Sequence, residues 1–329
     1  MNNDQMAGIR TQLLNRRERL QDFIHEERKT PQLVKLLQEV DMALERINNG
    51  SYGICEICHE DIEPHYLRIE PLVRVCLSHL SPEEQRGIER DLELAAEVQV
   101  NLLPARAMKI KGWEVGYHYE PVGPVSGDYC DIIAPAATPD ATYFFFGDVS
   151  GKGVAASLLV SHLHAMFRSL VESNLALPRL VERANRLFCE STMSANFATL
   201  VSGRISSTGD LEICNAGHCF PLVVRGGQIR SIESNGLPLG TFYNADYQSR
   251  TMHLAEKDFL FLYTDGLTEA RNPADEEYSE AQLSALVARE QHRAPTELID
   301  ACVNDWQTFR ASARKLDDLT IMILRKVRG

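Results

Sequence analysis

Apolar residues recur at helical intervals through the first hundred positions and then fall into short blocks separated by glycine and proline. That change of period divides the chain into a helical N-terminal part and a longer part that mixes strands with helices. Between Asp4 and Glu27, the positions Ile9, Leu13, Leu14, Leu20, Phe23 and Ile24 line one face of an amphipathic helix. Thr30-Pro31 interrupts it. A second helix carries Leu33, Leu36, Leu37, Val40, Leu44 and Ile47 until Asn48-Asn49-Gly50 stops it. Residues 1–50 therefore read as a helical hairpin, whose stripes must pack on each other or on a partner chain because neither helix buries enough alone. A further helix is expected over 82–104. It starts at Ser81-Pro82-Glu83-Glu84, repeats Ile88, Leu92, Ala95 and Leu102 near 3.5 residues with Leu94 and Val98 beside them, and stops at Pro104. Such a linker suits pairing with a second copy of the chain, so a homodimer through the N-terminal and linker helices is expected.

From Trp113 onward the blocks become strand-like: WEVGYHYEP, TYFFFGD, FATLVSGRI, LEICNAG, PLVVR, FLFLYTDG and LTIMILRKV. Helical spacing returns at Val154 to Val171, Leu180 to Thr192, Ser279 to Glu290 and Pro295 to Phe309. Strand clusters alternating with paired helices predict an α+β layered sandwich over 105–329. The stretch that organises it is Tyr143 to Ser157: a short aromatic strand stops at Asp148, Gly151 and Gly153 permit a tight turn, and a helix follows. Asn272 to Ser279, polar and acidic with a proline, is the candidate mobile loop.

The chain has 329 residues, 44% of them hydrophobic, enough for two domains. Its formal net charge of -12 argues against a general binder of nucleic-acid phosphates. No apolar run approaches the roughly 20 residues of a membrane span, and the N-terminus lacks the apolar core of a signal peptide, so a cytoplasmic protein without a membrane partner is expected. Of eight cysteines, Cys55, Cys58 and Cys76 cluster. The pattern CxxC, seventeen residues, then Cys76-x-x-His79 has the spacing of a single structural zinc site over 51–81. That segment is too poor in large apolar residues to fold on a core of its own, so coordination must supply the folding energy. His59 and His65 are the neighbouring substitutes; His59 directly follows Cys58, which suits a surface histidine better.

Through ALERINNGSYGICEICHEDI and its CxxC and CxxH pairs, the region of about residues 1–80 resembles the TraR/DksA zinc-finger family. The resemblance implies a hairpin-and-finger module that enters the secondary channel of RNA polymerase, which makes a polymerase-binding transcription regulator the alternative function. This chain departs from that pattern in two places. The hairpin tip reads HEERKTPQL, basic at Arg28-Lys29, and His79 stands in place of the usual fourth cysteine.

Four acidic residues in the second part share one setting, a carboxylate next to a strand and beside glycine or another aspartate: Asp128 in VSGDYCD, Asp148 in FFFGDVSG, Asp265 in FLYTDGL and Asp317 in KLDDLTIMIL. Ionised carboxylates that converge beside apolar strands need cations to offset their repulsion. Oxygen donors without histidine suit Mg²⁺ or Mn²⁺. Two such ions about 3.5–4 Å apart share a bridging water that attacks phosphorus, while the ions neutralise the phosphoryl charge. GDVSGKG is not a phosphate-binding loop, because its spacing is one residue short and Gly153 follows Lys152 where Ser or Thr is required. The GxSxG and HExxH patterns do not occur.

These motifs, with ERDLELAAEVQVNLLP, NFATLVSGRI, NAGHCFPLVV, GLPLG and FLYTDGLTEARN, run in order over nearly all of 85–327 and resemble the metal-dependent protein phosphatases of the 2C type, in their bacterial SpoIIE/RsbU branch. The resemblance implies an αββα sandwich, two Mn²⁺ or Mg²⁺ ions, and hydrolysis of phosphoserine or phosphothreonine on a protein, typically a STAS-like anti-sigma-factor antagonist. It also implies that Asp148 bridges the metals, that the Val149 carbonyl binds one, that Asp265 and Asp317 hold the other, with Asp318 the fallback for Asp317, and that Asp128 is the first acidic motif. Asp131 would hydrogen-bond a metal water. His218 in NAGHCFP is either a general acid or a turn residue, the second being preferred because the chemistry does not need it.

Overall fold

The computed structural model describes residues 3–26, 31–136, 138, 140–192 and 196–328, and it divides into two units, residues 1–90 and 91–329. Arg28 and Lys29 of the hairpin tip, and the side chains of Phe23 and His65, lie outside the described residues.

In the first unit, α1 (Asn3–Glu26) and α2 (Pro31–Asn49) follow the two expected stripes. The stripes meet each other: Ile9 and Leu13 are buried against Val40, Ala43 and Leu44. The segment after Gly50 is less dependent on metal than its composition suggests. Tyr52, Ile62, Leu67 from α3 (Pro64–Ile69) and Val73 join the same apolar cluster, so the finger borrows its core from the hairpin. The Tyr52 hydroxyl donates to the Pro71 carbonyl at 2.8 Å, and Arg46 of α2 donates to the Ile54 carbonyl at 3.0 Å. Helix α4 (Pro82–Leu102) contains the boundary between the units.

The second unit continues with β1 (Ala107–Ile110), β2 (Trp113–Glu120), β3 (Asp128–Ile133), β4 (Ala141–Val149), α5 (Val154–Val171), α6 (Leu177–Ser191), β5 (Ala198–Ser206) and β6 (Asp210–Ala216). It ends with β7 (Leu222–Arg225), β8 (Gln228–Ser231), β9 (Arg250–His253), β10 (Phe259–Tyr263), α7 (Asp265–Thr268), α8 (Ser279–Glu290), α9 (Pro295–Arg310) and β11 (Leu319–Lys326). The strands form a six-stranded sheet ordered β1-β2-β11-β10-β7-β8 and a five-stranded sheet ordered β3-β4-β5-β6-β9.

Strand alternation builds three apolar layers from these two sheets. Tyr143, Phe145 and Leu200 turn outward to meet Phe167, Leu180 and Phe188 of α5 and α6. Phe144, Phe146 and Val201 turn inward to meet Leu260, Leu262 and Met322 of the other sheet. On the far face Phe261, Ile321 and Ile323 pack against Leu286, Leu298 and Trp306 of α8 and α9. The result is the expected αββα sandwich. The continuous aromatic run in β4 is explained by burial on both faces. Helix α5 is long and apolar enough to cross a membrane by length and composition, but here Leu163, Phe167 and Val171 are buried in the outer core. The acidic stretch 272–279 is held as a turn: Asn272 Oδ1 accepts the N–H groups of Ala274 and Glu276, and Arg271 pairs with Glu277.

Phe144 lies directly opposite Gly203, where a Cβ would stand 2.1 Å from its ring. Truncating it to alanine leaves a cavity that neither rigid sheet collapses to fill. We predict that Phe144→Ala costs about 3–5 kcal/mol. Both tryptophans, Trp113 and Trp306, lie in this unit, so denaturant unfolding followed by tryptophan fluorescence measures it.

Candidate metal centres

Strand β3 begins, and β4 ends, at the same end of the five-stranded sheet, because the two are antiparallel neighbours with Asp128 directly opposite Asp148. In the other sheet β10 ends and β11 begins at one end in the same way, so Asp265 follows one strand while Asp317 and Asp318 precede the other. Like charges directly opposite on a strand pair are destabilising. Burial and the neighbouring charges of Asp265, Asp317 and Asp318 push Asp148 up to about 7. Burial, then Asp148, holds Asp128 well above the ordinary carboxylate range, and burial with Asp317 raises Asp265. The structure thus brings Asp128, Asp148, Asp265, Asp317 and Asp318 to one end of the gap between the sheets.

Their side chains have different partners. The Asp128 carboxylate is 2% exposed and accepts hydrogen bonds from Thr264 Oγ1 at 3.1 Å and from Thr320 Oγ1, two residues of the opposite sheet. Asp318 is spent on the 122–127 segment: its oxygens accept from Val122 N at 2.6 Å, Ser126 Oγ at 2.7 Å and Gly127 N at 3.0 Å. Asp317 accepts from Lys152 Nζ at 2.9 Å and is partly exposed. Asp131 is not at the site. It lies on the helix-facing side of β3, where Arg168 of α5 grips it through two hydrogen bonds of 2.9 and 3.0 Å. The expectation that it orders a metal water is therefore corrected, the physical reason being strand alternation: 128 and 131 point to opposite faces.

Two close approaches shape the cradle. A Cβ on Gly127 would stand 3.0 Å from Asp148 Oδ1 and 3.1 Å from the Val149 carbonyl oxygen, so both oxygens converge on a bare α-carbon. A Cβ on Gly266 would stand 1.9 Å from the Asp318 carbonyl, which is how Asp265 comes so near Asp317. Gly151 and Gly153 both have positive φ, as the tight turn before α5 requires. An all-oxygen donor set of mutually repelling, partly dehydrated carboxylates fits hard divalent cations.

Sequence reading missed several residues here. Lys152, which the sequence places only in a loop that fails the phosphate-binding pattern, donates from its ammonium to Asp317 and to the Leu316 carbonyl, the latter at 2.8 Å. Gln99 of α4 is buried and clamps Ser126 from both sides, donating to its carbonyl at 2.7 Å and accepting its N–H at 2.9 Å. Its signal was a polar residue on the inward stripe of Leu92, Ala95 and Leu102. Thr264 and Thr320 were polar interruptions at strand ends. His218 lies buried beneath the site with Nδ1 2.8 Å from Thr199 Oγ1, and burial holds it down at about 4. It is neutral and covered, and Asn215 Oδ1 accepts its backbone N–H at 2.9 Å.

The finger is the second centre. Cys55, Cys58, Cys76 and His79 place one ligand atom each within 4.8 Å of the others. Individual separations are 3.9 Å for Cys58 Sγ to Cys76 Sγ, 3.9 Å for Cys55 Sγ to His79 Nδ1 and 3.1 Å for Cys76 Sγ to His79 Nδ1. Tetrahedral zinc with bonds of about 2.3 Å to sulfur needs edges of about 3.8 Å, so the four atoms fit one ion. Burial raises the Cys55 thiol, but N–H donors of Cys58, Cys76 and Ile57 outweigh it and bring it down to about 6. His59 is exposed and points to no ligand role.

The sequence pattern described as "Stage II sporulation protein E (SpoIIE)" matches residues 138–327, and that described as "Prokaryotic dksA/traR C4-type zinc finger" matches residues 50–78. Phosphoserine phosphatase RsbU of Bacillus subtilis is 25% identical over 210 residues, covering 62% of this chain and 62% of RsbU. The chain thus spans less than two thirds of that relative's length. Among solved structures, the SiaA-PP2C domain of Pseudomonas aeruginosa matches with a TM-score of 0.63 at 18% identity, covering 74% of this chain and 98% of that domain. The PP2C phosphatase domain and regulatory fragment of SpoIIE from Bacillus subtilis matches with a TM-score of 0.58 at 19% identity, covering 66% of this chain and 64% of that one. Both structures share the fold.

Two predictions follow from this geometry. Metal must displace the proton that Asp148 keeps below a pKa of about 7, so apparent Mn²⁺ affinity measured by calorimetry weakens as pH falls from 8 to 5. Asp148→Asn flattens that pH dependence without removing it, because Asp128 and Asp265 are raised as well. In the finger, chelating zinc or substituting Cys58→Ser releases one equivalent of zinc and loosens residues 51–79 in hydrogen exchange, while α1 and α2 keep their protection through their own contact.

Proposed function

The chain belongs to the SpoIIE family, and on that premise we propose that it is a metal-dependent protein phosphatase acting on phosphoserine or phosphothreonine. The observation that carries the reading is that Asp148 and the Val149 carbonyl both meet the bare Gly127, while Asp265 and Asp317 stand close enough for their charge to raise Asp148. In this reading Asp148, the Val149 carbonyl, Asp265 and Asp317 would be the groups that hold two divalent cations, Asp148 serving both, Val149 one and Asp265 with Asp317 the other. Asp317 rather than Asp318 takes that role, since Asp318 already accepts three hydrogen bonds that fix the Ser126-Gly127 turn. Asp128, held by Thr264 and Thr320, braces Asp148 from the opposite strand and tethers the two sheets. When bound, the cations supply Lewis acidity, acidifying water and neutralising the phosphoryl oxygens. The chain's own part is to orient: Gln99 locks Ser126, Ser126 Oγ accepts the Asp128 N–H at 3.0 Å, and neutral His218 keeps Thr199 in place opposite Asp148.

The substrate we propose is a phosphorylated STAS-like antagonist of an anti-sigma factor, met in the cytoplasm, a choice supported by the similarity to RsbU. We further propose that the hairpin over 1–50, finger over 51–81 and linker over 82–104 form a regulatory part, and that the chain dimerises along α4. Leu94 and Val98, one helical turn apart, are 59% and 52% exposed, and a second helix would cover them.

The test is phosphate release from a phosphorylated antagonist protein with and without Mn²⁺. Activity is expected only with metal. Asp148→Asn and Asp317→Asn lose more than the roughly 10–100-fold that an outer support of a ligand contributes, with melting unchanged. Asp318→Asn lowers the melting temperature as well, because it strips acceptors from the turn. Metal-independent turnover, or full activity in Asp148→Asn, would overturn the proposal.

A further inference from the structure

On the side of the sandwich where both sheets stop, edge strand β8 of one faces edge strand β9 of the other across an open slot of about 550 Å³. Its floor is the rim of the inter-sheet core, Val223, Ile232 and Met252. Its lips carry Arg225, Arg230 and Arg250. The register explains why all three point the same way. Arg230 lies opposite Val223 on the β7–β8 hairpin, Arg225 is two residues beyond Val223 on the same face, and Arg250 is two residues before Met252. The three arginines are exposed and, among the described residues, none forms an ion pair with a carboxylate; the one polar contact is Arg230 to Gln228 Oε1 at 3.3 Å.

That arrangement is unusual for a chain of net charge -12, in which acidic residues outnumber lysine and arginine by 46 to 34. Three like charges around an apolar floor repel one another, and no acidic residue lines the slot to relieve them. Among the described residues strand β8 is paired only with β7 and strand β9 only with β6, so both outer edges offer backbone groups to an added strand. We propose that this slot docks an extended acidic segment of the phosphoprotein substrate, a reading that rests on the phosphatase function above. Alternate carboxylates meet the arginines, the intervening apolar side chains reach Val223, Ile232 and Met252, and the segment's backbone pairs with a sheet edge. The chemistry stays elsewhere. Arg225 lies beyond the Phe259 end of β10, whereas Asp265 follows the opposite end, so the slot tethers substrate without touching the carboxylates.

The experiment uses the full chain carrying Asp148→Asn, so that binding is read apart from turnover. The probe is a fluorescent peptide of alternating glutamate and valine, measured by anisotropy, with a lysine-valine peptide and a single-stranded DNA of equal charge as competitors. Binding of the glutamate peptide is expected, weakening with salt and falling at least tenfold when Arg225, Arg230 and Arg250 are changed together to glutamate. The milder change of all three to glutamine, with melting unchanged, gives a smaller loss of the same sign. With Asp148 intact, the glutamate variant is expected to lose at least tenfold in kcat/KM on the phosphoprotein while hydrolysing p-nitrophenyl phosphate within twofold of the parent. Peptide binding that ignores the arginines, or DNA bound in preference to the peptide, overturns the proposal. Failure of phosphatase activity alone leaves the peptide measurement to decide it.

Discussion

Mutual repulsion among buried carboxylates is the constraint on which the second unit depends. Asp128 and Asp148 stand opposite each other on adjacent strands, and Asp265 and Asp317 approach from the other sheet. Burial and neighbouring charge favour the protonated acids, holding Asp148 near 7 and Asp128 well above the ordinary carboxylate range. A site so poised is strained toward the binding of positive charge, and Lys152 on the glycine loop supplies one such charge to Asp317. The rest of the local structure serves to keep the acids from moving apart. Thr264 and Thr320 tie Asp128 across the gap, Asp318 pins the Ser126-Gly127 turn, and Gly266 lets α7 close against the chain before β11.

The sandwich makes such rigidity affordable. Three apolar layers hold both sheets in fixed register, so a displacement at one strand end cannot be relaxed without disturbing Phe144 against Gly203 or Leu260 against the inter-sheet core. Rigid elements position catalytic groups better than loops do. The finger solves the same electrostatic problem with the opposite chemistry. There, soft sulfur and nitrogen donors converge, and the four together would fill a tetrahedral ion with no open position.

Much of this was legible in residue order. Helical stripes, the Cys55-Cys58-Cys76-His79 spacing, the aromatic run of β4 and the strand-adjacent aspartates are local signals, read within a few residues of each other. What local reading got wrong has a physical reason in each case. Asp131 shares the motif of Asp128 but faces α5, since strand alternation sends odd and even positions to different layers. The finger looked coreless because its apolar partners, Val40 and Leu44, are on α2. Asp317 and Asp318 are adjacent and chemically identical, and they are told apart only by what donates to Asp318, the N–H groups of Val122 and Gly127 and the hydroxyl of Ser126, almost two hundred positions away.

The sequence by itself determined the elements, the layered class and the donor chemistry of both centres, because periodicity and ligand type are properties of short stretches. Tertiary structure alone decided which acids share a space, that Gln99 clamps Ser126, and that Arg225, Arg230 and Arg250 line one slot. Those facts depend on antiparallel register and on two sheets facing each other, and long-range pairing of that kind has no local signature.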